Sequence, residues 1–166
     1  LYEGPKREVS YSGRTAPAVE KIILIIDESV RGDILELNGG WPGTTPFLAE
    51  NKQSVINLGV ATSIANCSSP SRMYLRTGAR MSDLPDPEHL MMRRPTIWQH
   101  AKKAGFRTVY IDAFDSPFGH SGMTKSEREA IDVSIAVKNK TVHERDIEIS
   151  DKVLPGVLKE PGPAFI

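Results

Sequence analysis

The stretch Lys21-Ile22-Ile23-Leu24-Ile25-Ile26-Asp27-Glu28 sets five apolar residues in a row against two carboxylates. Side chains of a strand alternate between faces, so an apolar run without alternation predicts a strand buried on both faces of a parallel sheet. A buried helical segment is the weaker alternative. Asp27-Glu28-Ser29 ends the run abruptly, where the C-terminal end of such a strand would meet solvent. In open α/β sheets that edge is where ligands bind.

On the N-terminal side of the run, residues 1–20 are polar, include Pro5 and Pro17 and show no period. A linker or lead-in segment is expected there, with one structured domain over residues 21–166. On the C-terminal side, Gly39-Gly40-Trp41-Pro42-Gly43 has the chemistry of a loop. Thr44-Thr45-Pro46 before Phe47-Leu48-Ala49-Glu50 predicts a helix with a threonine cap and proline in its first turn. Val55 to Ala61 returns to β-type residues. Residues 68–78 read as a short helix stopped at Thr77-Gly78, and residues 79–94 as loop. Ile97, Ala101 and Ala104 share one helical face before Gly105, and Arg107 to Asp112 follows as a strand. Thr124-Lys125-Ser126-Glu127 matches a capping box ahead of a helical pattern in Ala130, Ile131 and Ile135. A last helix from about Val142 meets Pro155, where a kink or break is expected. Strand and helix alternate along the chain, which predicts an α/β fold with a largely parallel central sheet and helices on both faces.

Composition narrows the function. The chain has 166 residues, 39% of them hydrophobic and 25% charged, which is ordinary globular usage and excludes a chain made of membrane spans. Twenty-one basic residues balance twenty-one acidic ones, so no overall field would hold nucleic acid or an anionic bilayer. Any anion must be caught locally. A single cysteine, Cys67, excludes an intrachain disulfide and a cysteine-cluster zinc site. The chain opens on Leu1 without the apolar stretch of a signal peptide and closes on Pro161-Gly-Pro-Ala-Phe-Ile166, a turn feeding a strand that has barely begun. A shortened chain, with more sequence after Ile166, is the expectation.

Two places put reactive groups just after a strand-like segment. Asp27 and Glu28 offer hard oxygen ligands for zinc, calcium, magnesium or manganese, provided the backbone turns so that both reach one ion. The plainer reading is an acidic pair at the N-terminal side of the next helix. In Ser68-Ser69-Pro70-Ser71-Arg72 the plain reading is a capped helix start. A helix N-terminus also presents N–H groups and partial positive charge, and Arg72 adds a fork-shaped cation one turn inside. That makes a site for a tetrahedral anion with a hydroxyl in it. A serine hydroxyl is a weak nucleophile until a base or metal lowers its pKa, and the carboxylate pair could hold that metal.

Ser68-Ser-Pro-Ser-Arg-Met-Tyr-Leu-Arg-Thr-Gly78 resembles the sulfatase signature, in which a cysteine or serine nucleophile precedes x-Pro-Ser-Arg, a leucine and a closing Thr-Gly. Ile25-Ile-Asp-Glu-Ser-Val-Arg-Gly-Asp33, with Leu37-Asn-Gly39 and Thr45-Pro-Phe-Leu48, is similar to the metal-binding segment of membrane-anchored phosphoethanolamine transferases. Both families belong to the alkaline-phosphatase-like superfamily. The resemblance covers residues 20–166 and is strongest in its first sixty or so. It implies that Glu28 and Asp27 are metal ligands, that Ser68 is the nucleophile and a ligand, and that Arg72 steadies it. Aligned on the transferases' Cys-Gly-Thr, Ser69 would be the nucleophile instead; the longer Pro-Ser-Arg match favours Ser68.

The resemblance further implies a divalent metal, zinc before calcium or manganese, and the transfer of phosphoethanolamine from a phospholipid donor to a glycolipid acceptor of the lipopolysaccharide type. The enzyme would face the periplasm from the bacterial inner membrane, anchored by an N-terminal region that precedes these residues. Sulfatases usually carry Gly-Lys-Trp-His where this chain reads Asp112-Ala-Phe-Asp115, which moves the expectation away from an ordinary sulfatase. A sulfatase or phosphate-ester hydrolase is the alternative, and a non-catalytic binding module in which Asp27, Glu28 and Ser68 only cap helices is a third. The family completes its metal site from a distal Asp-His or Asp-Asn pair, and with no Asp-His pair in these residues the fragment alone is expected to be inactive. His120, in Ser116-Pro-Phe-Gly-His-Ser-Gly122, is a weaker substrate-binding candidate on a loop. His89, His100 and His143 form no local metal pattern. Arg31-Gly32-Asp33 spells an adhesion tripeptide by coincidence, and Met91-Met92-Arg93-Arg94 is either a lipid-facing patch or a loop packed on its own domain.

Overall fold

The computed structural model describes residues 4–10, 16–27, 29–114, 122–138 and 140–166. In chain order its elements are β1 Lys21–Ile22, α1 Pro46–Glu50, α2 Ser68–Thr77, α3 Ile97–Lys103, β2 Arg107–Asp112, α4 Lys125–Arg128, β3 Val133–Ala136, α5 Val142–Glu148, α6 Leu154–Lys159 and β4 Ala164–Phe165. Short 3-10 turns lie between them, and Ile149–Val153 is π-helical. Two compact units divide the chain: Leu1–Leu24 with Cys67–Ile166, and Ile25–Asn66. No helix among the described residues is long and apolar enough to cross a membrane.

In the first unit the four strands form one parallel sheet in the order β1-β4-β2-β3. Alternation along β2 builds a core on each face. Val109 and Ile111 join Val133, Ile135, Ala164 and Ile166 under Leu154 and Val157 of α6. Tyr110 and Phe165 turn to the other face and meet Trp98 of α3. Trp98 stands edge-on to both rings, with centroids 6.0 Å away at Tyr110 and 5.4 Å at Phe165. Each such pair contributes about 0.5–1.5 kcal/mol beyond its area. The chain thus has the α/β architecture that its alternating pattern predicts, a parallel sheet with helices on both faces.

The apolar run that led to that expectation behaves differently. Only Lys21 and Ile22 pair as a strand, helped by Leu24 N donating to Ile166 O at 2.8 Å. Ile23 to Asp27 lie outside any strand, and Ile25 is 74% exposed. β1 is an edge strand with β4 as its neighbour, and the ladder between them ends at Ile22–Phe165, so nothing in the sheet carries the pairing along the rest of the run. Val55 to Ala61 likewise form no strand. Ile56 and Leu58 are 88% and 93% exposed, and Asn57 tethers the segment through its side chain, donating to Leu37 O and to Asn38 Oδ1 at 2.8 Å each.

Three other differences have local causes. The helix after the Thr124 cap stops at Arg128, because Asp132 is drawn to β2 and the Val133/Ile135 alternation belongs to β3. Asp132 accepts from Lys102 Nζ at 2.7 Å and from Thr108 N at 2.9 Å, and these bonds, the lysine's first, hold its carboxyl below the usual range. Pro155 does not break its helix. A proline removes an N–H donor, and the π-helical stretch just before it takes up the change of register, so the chain stays helical from Val142 to Lys159. α2 begins at Ser68 with Cys67 as cap residue, so Pro70 sits third in the helix, where its missing N–H has no intrahelical acceptor to lose.

The second unit is a knot of turns. Thr45 does not cap α1 with its hydroxyl; that oxygen accepts from Glu36 N at 3.1 Å, and Glu36 Oε1 accepts from Thr45 N at 3.1 Å. Asn38 Nδ2 donates to Gly32 O at 2.6 Å. Gly40 lies so close to the Ile34 carbonyl that a β-carbon there would overlap backbone atoms. Gly40→Ala is therefore expected to destabilise this unit by about 1–3 kcal/mol or more, the range for forced overpacking. Amide exchange across residues 32–45 would report it; wild-type protection in the variant would refute the close packing of Gly40 on Ile34.

Candidate functional site

α2 presents its N-terminus at Ser68 and Ser69, after Cys67 in extended backbone. Its C-terminus closes on Gly78, which takes the left-handed conformation at φ 65° and returns N–H groups to the last carbonyls. First-turn N–H groups have no intrahelical acceptor and carry the positive end of the helix dipole. Ser68 is half-buried and Ser69 exposed. Arg72 follows Ser68 by four residues and Ser69 by three, so all three share one face.

The C-terminal end of β2 comes to the same place. Asp112, 8% exposed, accepts from Phe114 N at 2.8 Å through Oδ1, while its carbonyl accepts from Val137 N at 3.1 Å. The Phe114 ring lies against the Arg72 guanidinium, 5.2 Å from ring centroid to Cζ. A β-carbon on Gly122 would stand 3.0 Å from Ser69 Oγ. A helix N-terminus, two hydroxyls and an arginine cation thus meet the carboxyl edge of a parallel strand, the position where α/β sheets bind ligands.

The far end of α2 is tied down by charge. Arg76 and Glu127 are 4% and 2% exposed, and Arg76 Nε donates to Glu127 Oε1 at 2.5 Å. Arg76 Nη2 is buried without a hydrogen-bond partner among the described residues. Lys6 approaches the pair and donates from Nζ to Met92 O at 3.0 Å. Burial pushes the Lys6 ammonium below its ordinary range; the Glu127 carboxylate opposes that shift and the Arg76 cation adds to it.

The other sequence candidates fall as follows. Ser68, Ser69 and Arg72 are brought together on one helix. Asp27 is exposed and belongs to the second unit, while Glu28 and His120 lie outside the described residues. Among the described residues no three His, Cys, Asp or Glu side chains gather as a metal site. His89, His100, His143 and Cys67 are exposed and stand apart from one another in the sequence. Arg31 and Asp33 engage each other, with Nε to Oδ1 at 3.1 Å and Nη2 to Oδ2 at 2.5 Å. Met91 and Met92 are buried at 2% and 5%, so the lipid-facing alternative for that patch gives way to packing on the unit itself. Sequence reasoning passed over Phe114 as a contact and Arg76 altogether. Phe114 was visible as the aromatic in Asp112-Ala-Phe-Asp115, whereas nothing local couples Arg76 to Glu127.

Residues 20–143 match the family model described as Sulfatase. Neither a curated protein nor a solved structure matches the chain.

Proposed function

The chain belongs to the sulfatase family, and from that premise we propose that its parent enzyme transfers phosphoethanolamine from a phospholipid to a glycolipid hydroxyl through a covalent Ser68 intermediate. The observation that carries this reading is the placement of Ser68 and Arg72 one turn apart at the N-terminus of α2, beside the end of β2. The Asp112-Ala113-Phe114 sequence at that edge lacks the lysine and histidine with which sulfatases contact sulfate, which supports phosphoryl over sulfuryl transfer.

Ser68 Oγ attacks phosphorus, forming the Oγ–P bond as the bond to the diacylglycerol oxygen breaks. The serine proton ends on that leaving oxygen. An acceptor hydroxyl then forms its own bond to phosphorus, the Oγ–P bond breaks, and the acceptor's proton returns to Ser68. Arg72 and the first-turn N–H groups face the charge that grows on the non-bridging oxygens. Members of the family typically use divalent metals, zinc in this proposal; such an ion, when bound, would supply the Lewis acid that makes a serine hydroxyl more acidic. The donor and acceptor place the enzyme at the periplasmic face of a bacterial inner membrane.

The family match favours one second reading, a sulfatase or phosphate-ester hydrolase with water as final acceptor. Intact-mass and peptide mass spectrometry of the full-length protein, before and after exposure to phosphatidylethanolamine vesicles, separates them. A phosphoethanolamine adduct on Ser68 is the expected result, and a formylglycine at position 68 before exposure would replace the transferase with the sulfatase. An unmodified serine with no stoichiometric zinc, calcium or manganese binding would overturn both in favour of a binding module.

A further inference from the structure

The Phe114 ring is 50% exposed, belongs to neither core, and rests against Arg72. Packing therefore does not account for it; burying an aromatic is favourable, and here a half-exposed one lies over a cation instead. At 5.2 Å from ring centroid to Cζ, the guanidinium is within the reach of the ring's negative face. The backbone that carries the ring is held, because Phe114 N donates to the buried Asp112 carboxylate at 2.8 Å. Arg72 carries a long, flexible stem and sits near the positive end of its own helix, which favours displacement of the cation away from that end.

We propose that Phe114 is a positioning residue for anion binding, its ring holding the Arg72 guanidinium toward the N-terminus of α2 so that cation and helix act on one tetrahedral group. This rests on reading that helix end as the phosphoryl site under the proposed function.

Calorimetric titration of the full-length protein with inorganic phosphate, and with inorganic sulfate in parallel, tests it. Phe114→Leu keeps the bulk and removes the π face, and it should weaken phosphate binding about twofold to fivefold, the equivalent of an exposed cation–π contact. Phe114→Tyr and Phe114→Trp should bind as the wild type does. In an Arg72→Gln background, Phe114→Leu should cost nothing more, since the two residues act as one. Unchanged phosphate affinity in Phe114→Leu, an equal loss in both backgrounds, or a loss in the tryptophan variant would each overturn the proposal. If the wild type binds neither anion, the phosphoryl-site reading falls first and takes this inference with it; wild-type binding with an indifferent Phe114→Leu removes the inference alone.

Discussion

Glu127→Ala is expected to bring the first unit to the edge of unfolding. The carboxylate is 2% exposed and forms an ion pair with Arg76, itself 4% exposed, at 2.5 Å. Removing it leaves a guanidinium in the interior whose Nη2 already has no hydrogen-bond partner among the described residues, with the half-buried Lys6 cation nearby. Breaking such a pair from one side costs about 3–5 kcal/mol. A domain of this kind has only about 5–15 kcal/mol in total. Urea unfolding of Glu127→Ala should show a large drop in midpoint with the slope retained. Glu127→Gln keeps an acceptor for Arg76 Nε and should fall between the two. The joint change Arg76→Met with Glu127→Leu removes both charges together, and it should recover most of the loss, because the desolvation penalty goes with the ions. A Glu127→Ala midpoint within error of the wild type would show that this pair does not anchor the helix.

That anchor bears on the site through rigidity. Arg76 lies eight residues after Ser68, about 12 Å along the helix axis. One end of α2 is held by a buried ion pair to α4 and the other meets Phe114 and Gly122. A helix fixed at both ends delivers its first-turn hydroxyl and its Arg72 cation to the same place in every molecule. This is the preorganisation that electrostatic catalysis requires.

How much of this was legible in the sequence follows the range of the interaction. Arg107–Asp112 and the Thr124 cap were readable because strand alternation and an i,i+3 hydrogen bond are local; Thr124 Oγ1 accepts from Glu127 N as its spacing predicts. Ser68 and Arg72 were readable as neighbours for the same reason, since both lie on one helical face. The run Ile22 to Ile26 was readable as extended chain but not as an edge, because strand order depends on β4, more than a hundred residues on. The Glu127 side chain was legible only as part of a cap. Its second role depends on Arg76, 51 residues away, and no periodicity carries that pairing. Pro155 was readable as a disturbance, whereas its accommodation by the π-helical stretch Ile149–Val153 is a change of backbone register that no side-chain pattern announces. Asp27 joins no group of three or more such side chains among the described residues, and a metal site, which gathers ligands from separate segments, is not legible from one of them.

Ser68→Ala should abolish covalent phosphoethanolamine capture and lower turnover of the full-length enzyme by about a thousandfold or more, the scale on which loss of a nucleophile acts. The neighbouring alcohol is the control. Ser69 shares the helical face with Arg72, so the cation alone does not choose between them. Their surroundings do: Ser69 Oγ already has Gly122 against it, within 3.0 Å of where a β-carbon would be built, while Ser68 is half-buried at the first position of the helix. Ser69→Ala should accordingly keep the adduct and most of the rate. The measurement is peptide mass spectrometry after a short exposure to phosphatidylethanolamine vesicles, with circular dichroism to establish that both variants are folded. Capture that survives in Ser68→Ala and vanishes in Ser69→Ala would move the attacking oxygen one residue along, onto the alignment with the transferases' Cys-Gly-Thr. Capture that survives in both would take the nucleophile off this helix and, with it, the phosphoryl contact proposed for Arg72.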